Sequence, residues 1–217
     1  MYYKSLTVFK MNKSSKLNIH KKSEISGLLL FIAGIIVFMG IITGEIYYSF
    51  GYSTKDNQIS DLGGTEPPNS IITQPSATIF NTTMIISGIM ILFASWLIHL
   101  EYENFLVSTP LGLLGLGVLG VGIFPGNIIP WHAIFAMMTF ISGGIGAIIV
   151  SIKIVQPPIR YVFMILGIIA LLFLISYPLF IPYLGLGGTE RWIAYPILFW
   201  IIGLGSFLSG INKSQKN

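Results

Sequence analysis

The chain has 217 residues, 53% of them hydrophobic and 9% charged, with a formal net charge of +4. Soluble domains carry roughly a quarter charged residues, so the composition excludes an ordinary soluble domain and points to the membrane. The lysines gather near the two ends, where membrane topology accounts for them better than nucleic acid does, and the lack of cysteine removes disulfides, thiolate metal sites and a cysteine nucleophile.

Residues 1–24 carry six lysines and little apolar periodicity. They read as a basic cytoplasmic tail, partly helical where lysine meets anionic headgroups. The run Ile25–Gly44 is too long for a signal-peptide core and has no small-x-small cleavage site, so it is expected to be a retained span.

A polar segment, Glu45–Ala77, comes next; it holds four of the eight acidic residues, Glu45, Asp56, Asp61 and Glu66. Five more spans are expected at 78–100, 105–124, 131–152, 159–181 and 191–211, with residues 212–217 as a second tail. Each approaches the roughly 20 residues that a 30 Å hydrocarbon core requires. The third is kept long enough only by letting Phe105, Leu106 and Val107 enter the membrane ahead of Pro110. The expected breaks fall at Pro125-Gly126 with Pro130, at Pro157-Pro158, and at Pro182 with Gly185, Gly187 and Gly188.

The architecture expected is all-α, an integral membrane bundle of six helices. Six spans put both termini on one side, and ten of the twelve Lys and Arg residues fall on that side, leaving Lys55 and Arg191 opposite. The positive-inside rule then makes both termini cytoplasmic in a multi-pass protein of the cell membrane. The loop Glu45–Ala77 faces out, together with the turns 125–130 and 182–190.

Within the spans, small residues recur at spacing four: Gly40 and Gly44, Gly143 and Ala147, Ser142 and Gly146, Gly205 and Ser209. Such pairs let helix backbones approach where lipid offers no hydrophobic drive. Residues 115–120 match the dinucleotide fingerprint G-x-G-x-x-G, but the match falls inside a span and no acidic residue occurs between Glu103 and Glu190. Gly112, Gly115 and Gly122 share one helix face and Gly117 and Gly120 another, which predicts a thin helix between two neighbours.

The candidate site residues all lie at the outer level. His132 opens span four and heads a stripe with Ala136, Thr139, Gly143 and Gly146. Such a stripe faces a bundle interior or watery cavity, unless the histidine only caps a neighbouring carbonyl. Leu186-Gly187-Gly188-Thr189-Glu190 repeats Leu62-Gly63-Gly64-Thr65-Glu66 letter for letter, but an inverted three-span repeat would put one copy inside, so duplication fails. Arg191 needs a carboxylate near lipid, with Asp61, Glu66 and Glu45 as candidates. His20 and His99 sit at the inner side and carry no role.

Three motifs stand together in this order: Ile59-Ser60-Asp61-Leu62-Gly63; Gly122-Ile123-Phe124-Pro125-Gly126 running into His132; and Gly188-Thr189-Glu190-Arg191 with Tyr195-Pro196 and Trp200. From about Ser26 to Gly210 the chain resembles the family catalogued as domain of unknown function 998. The resemblance implies a six-span membrane protein and carries no activity, cofactor or catalytic residue with it.

Three classes of function are open. One is binding or transport of a small molecule or lipid through an outer-facing polar pocket of Asp61, Glu66, His132, Glu190 and Arg191, with membrane lipids as partners and no nucleic acid. Another is a non-catalytic scaffold or accessory subunit that uses the same residues to staple its loops. The last is an intramembrane enzyme with acid–base carboxylates and His132, and one histidine is a poor zinc set.

Overall fold

The computed structural model describes the backbone of residues 13–49 and 51–214, and the side chains of 21–49 and 51–210. Lys4, Lys10 and Lys216, which entered the charge count, lie outside the described residues. Six helices succeed one another in chain order: α1 (Lys13–Ile46), α2 (Ser76–Tyr102), α3 (Phe105–Ile123), α4 (Trp131–Ile154), α5 (Ile159–Ile175) and α6 (Tyr177–Ser214). A single 3₁₀ turn, Ile59–Leu62, interrupts the long α1–α2 loop. Among the described residues there are no strands, and the chain is all-α.

Five of the helices are long and apolar enough to cross a membrane; α5, at 17 residues, is the shorter apolar exception. Each helix packs on the next in sequence, and α6 returns to α1. A direct α4–α6 contact leaves α5 outside the ring formed by the other five. Gly27 of α1 lies against the backbone of Gly205 and Ser209 of α6. The two terminal stretches therefore run side by side at one end, where the Ser23 hydroxyl and N–H also donate to the Glu101 carboxylate at the foot of α2.

The glycines of α3 behave as their helical spacing predicts. Gly112, Gly115 and Gly122 face Ser95, Leu92 and Ile85 of α2, while Gly117 and Gly120 face Thr139 and Phe135 of α4. The G-x-G-x-x-G match is thus a helix pressed thin between two others. Asn104 caps α3, its side chain accepting from Leu106 N–H, so the helix does begin at Phe105 and carries Pro110 inside it.

Two expectations fail together. Span five is not 159–181: α5 stops at Ile175, and helix resumes after Ser176. Nor is 182–190 an open turn; it is helical apart from Gly185, where φ is +74°. Proline explains the exchange. Pro178 has no N–H and its ring collides with a carbonyl one turn back, so it cannot continue α5, but it is welcome in the first turn of α6. The break comes at Pro178 rather than Pro182, and the bend between the first turns of α6 and its long shaft is made by a glycine.

Candidate functional site

The α1–α2 loop lies across the end of the bundle because two glycines let it. At Gly185 the left-handed backbone favours glycine, and a β-carbon there would collide with the Lys55 carbonyl. At Gly187 it would collide with the carbonyl of Asn57. The loop backbone is therefore seated directly on α6, and Gly188 N–H donates to Lys55 O at 3.1 Å. On the other flank Gly126, in the α3–α4 turn, lies against the carbonyl of Gly64. The loop, the 125–130 turn and the start of the α6 shaft meet at one end of the bundle.

Arg191 fastens this assembly. It is 9% exposed. Its Nη2 donates to Glu45 Oε1 at 2.8 Å and to the Tyr52 hydroxyl at 2.7 Å. Its Nη1 donates to the carbonyls of Thr54, Asn57 and Gly187 at 2.9–3.0 Å. Of the three carboxylates considered for it, Glu45 is the partner; Asp61 and Glu66 are not. Tyr52 is a participant with little signal in the residue order, beyond its spacing of four from Tyr48, whose ring it meets edge-on at 5.4 Å. Burial pushes the Tyr52 hydroxyl above its ordinary range, against the pull of Arg191.

Asp61 belongs to the 3₁₀ turn. Its carboxylate accepts from Gln58 N–H at 2.9 Å and from the Asn57 amide at 3.4 Å, closing the turn on itself. Burial raises its pKa above the ordinary 3.8, although both of those hydrogen bonds oppose the shift. Glu66 is exposed.

Beneath the 3₁₀ turn lies a cavity of about 110 Å³ lined by α1, α2, α3, α4 and α6, with α5 taking no part. It runs from the loop end, at Ile59 and Ser60, to the middle of the bundle, at Ile91, Leu114 and Ile201. The wall is hydrocarbon except for a few groups, chief among them His132, Glu190, Thr139 and Tyr195. So the structure brings two of the five sequence candidates, His132 and Glu190, to one cavity and leaves Asp61, Glu66 and Arg191 outside its lining.

His132 is 4% exposed, and its Nδ1 donates to the Phe124 carbonyl at 2.8 Å, across the end of α3. A carbonyl can only accept, so Nδ1 carries the hydrogen of this bond. The carbonyl-capping role and the cavity-lining role coexist in one side chain. Thr139 spends its hydroxyl on Phe135 O one turn back. Glu190 is 6% exposed, and its carboxylate accepts from Ile59 N–H, the first residue of the 3₁₀ turn.

Among the described residues no three His, Asp or Glu side chains gather as a metal set. No curated protein and no solved structure matches the chain. A family model matches residues 31–206, most of the helical region, and covers all three motifs of the site. On that match the chain, a membrane protein with several apolar spans, belongs to the family described as Protein of unknown function (DUF998).

Proposed function

We propose that this is a multi-pass membrane protein that binds a small molecule in the cavity beneath its α1–α2 loop. The observation that carries the reading is the cavity itself. Interiors pack at crystal density and leave few voids larger than a water, yet here five helices line a cavity of about 110 Å³ whose accessible wall is almost entirely hydrocarbon. A small apolar molecule fits that wall better than a whole lipid, whose chains are far larger than the space.

The test is to fill the chamber. Ala194 and Ala136 both line it, and Ala194→Leu adds volume at the α6 wall. Protein purified in nanodiscs is expected to carry a small molecule detectable by mass spectrometry after organic extraction. The filled variant is expected to lose that molecule while keeping its thermal unfolding temperature within a few degrees. An empty extract from the natural chain, under several lipid compositions, would remove the reading.

A second reading, a scaffold that needs no ligand, is favoured by Arg191, whose charge is consumed internally by Glu45, Tyr52 and loop carbonyls. On that reading the filled variant is indistinguishable from the natural chain in every assay. An acid–base enzyme would have to run on His132 and Glu190 alone. We infer from the lysine and arginine asymmetry that both termini are cytoplasmic and the loop faces outward across the cell membrane. A reporter fused after Asn217 is expected to read cytoplasmic.

A further inference from the structure

Six buried side-chain polar atoms among the described residues have no hydrogen-bond partner, and two of them are amide oxygens that press on one dipeptide, Gly63-Gly64. A β-carbon at Gly63 would collide with Asn81 Oδ1, and one at Gly64 would stand 3.0 Å from Asn127 Oδ1. Asn81 belongs to α2 and Asn127 to the α3–α4 turn, so two elements bring an acceptor to one point of the loop. Reversing the Asn81 amide is no remedy. Its Nδ2 donates to Gly63 O at 3.4 Å, and reversal would set oxygen against oxygen. A third such atom, Oγ1 of Thr73 (4% exposed), lies one residue beyond Ile72, whose side chain also touches Gly64. The Gly64 carbonyl lies against Gly126 and accepts none of the backbone hydrogen bonds that close the loop.

Buried acceptors without donors are costly. One water brings two hydrogens, too few for this set of oxygens, whereas a cation serves every oxygen that faces it. The charge nearby has the matching sign. The loop holds four carboxylates and α6 adds Glu190, against Lys55 and Arg191. Asp61 and Glu66, on either side of Gly63-Gly64, lie close enough to repel one another.

We propose that Asn81 Oδ1, Asn127 Oδ1 and Gly64 O bind an alkali-metal cation that ties the α1–α2 loop to α2 and to the α3–α4 turn. Hard cations take amide and carbonyl oxygens. These ligands are uncharged, which suits a single positive charge. Calcium draws on carboxylates, and that of Asp61 is engaged by Gln58 and Asn57. Asn81, Asn127 and Gly64 lie outside the lining of the apolar cavity, so the cation site stands or falls separately from the binding function proposed above.

The test is the melting temperature of the purified full chain in uncharged detergent, at constant ionic strength so that screening does not vary. Choline chloride is the baseline, replaced stepwise by NaCl, KCl or CaCl2. Sodium or potassium is expected to raise the melting temperature saturably, by about 5 °C or more once the ion exceeds its Kd a hundredfold. The Asn127 side chain makes no hydrogen bond within the described residues. Asn127→Ala is therefore expected to melt within a few degrees of the natural chain in choline, and to lose the rise. Asn127→Asp is expected to reach its rise at a lower ion concentration.

Equal melting temperatures in choline, sodium and potassium would overturn the proposal and assign these oxygens to water. A rise that survives in both Asn127→Ala and Asn81→Ala would overturn it as well, by placing the ion elsewhere. A rise with calcium alone would overturn the alkali-metal assignment. The salt series on the natural chain requires no variant to fold.

Discussion

The same five letters, Leu-Gly-Gly-Thr-Glu, occur twice and fold in two ways. At 62–66 they leave the 3₁₀ turn and run out as loop, with Thr65 closing a small ring by accepting from Ile71 N–H and donating its own N–H to Ile71 O. At 186–190 they are helix, and Thr189 donates its hydroxyl to Gly185 O one turn back. Leu62 is fully buried while Leu186 is exposed; Glu66 is exposed while Glu190 is 6% exposed. The residues just C-terminal to each pentapeptide decide its fate. Pro67-Pro68 denies the first copy two N–H groups and a helical backbone, whereas Arg191-Trp192-Ile193-Ala194 continues the second as a shaft. Local propensity is equal in the two copies, and the neighbours choose.

The comparison can be broken hardest at Arg191, which has a proline as its counterpart in the first copy. Arg191→Gln strands Glu45, the loop carbonyls of Thr54 and Asn57 and the Gly187 carbonyl of α6, and is expected to cost about 3–5 kcal/mol of stability, as breaking a buried ion pair does. The control Glu66→Gln, at an exposed position, is expected to stay within about 0.5 kcal/mol. Unfolding in mild detergent, monitored by circular dichroism, measures both; equal losses would show that the two copies are energetically alike.

Glycine substitution comes next. Gly187→Ala drives a methyl into the backbone carbonyl of Asn57, which cannot retreat without lifting the loop, and is expected to cost about 1–3 kcal/mol. Gly63→Ala meets first the side-chain oxygen of Asn81, and a side chain can turn aside. Its loss should be visibly smaller by the same assay. A third measurement joins the two regions. Asp61 accepts from the Asn57 amide and Arg191 donates to the Asn57 carbonyl, so Asp61→Asn combined with Arg191→Gln is expected to lose about 0.5 kcal/mol or more less than the sum. Additive losses would mean that the turn and the shaft do not share a load.

The smallest effect is one of pH. The folded-state pKa of Asp61 is raised, so between its ordinary 3.8 and that higher value the folded chain binds more protons than the unfolded. Stability therefore falls as pH rises through that window, and acidification favours the natural chain. Measured from neutral pH downward, the melting temperature of the natural chain is expected to gain on that of Asp61→Asn, the gain levelling off below 3.8. A constant difference would place Asp61 in water.

Much of this architecture is legible in the residue order. The starts of α3 and α4, the two glycine faces of α3 and the convergence of three loop-end segments all come from periodicity and punctuation, because each depends on spacing alone. Three things are not legible there. Pro178 and Pro182 are equally good breakers on paper, and only packing shows that Pro182 sits inside a helix. Arg191 is satisfied mostly by backbone carbonyls, which have no letter of their own. The cavity is a property of five helices at once, and no single stretch encodes a void.

The break at Ser176 leaves α5 about 26 Å long at 1.5 Å per residue, short of the roughly 30 Å of a hydrocarbon core. Strongly exposed side chains flank the break, Ile175 before it and Leu179 and Tyr183 after it. Phe173 stacks on both Phe180 and Trp192, clasping the two sides of the elbow at centroid distances of 4.2 and 5.0 Å. A flank crossed by α5 alone would ask for a thinner bilayer than the others. Mismatch costs fractions of a kcal/mol per Å, so acyl-chain length becomes a control knob: short-chain lipids should gather along α5, and the melting temperature should peak in bilayers thinner than the five longer helices would choose.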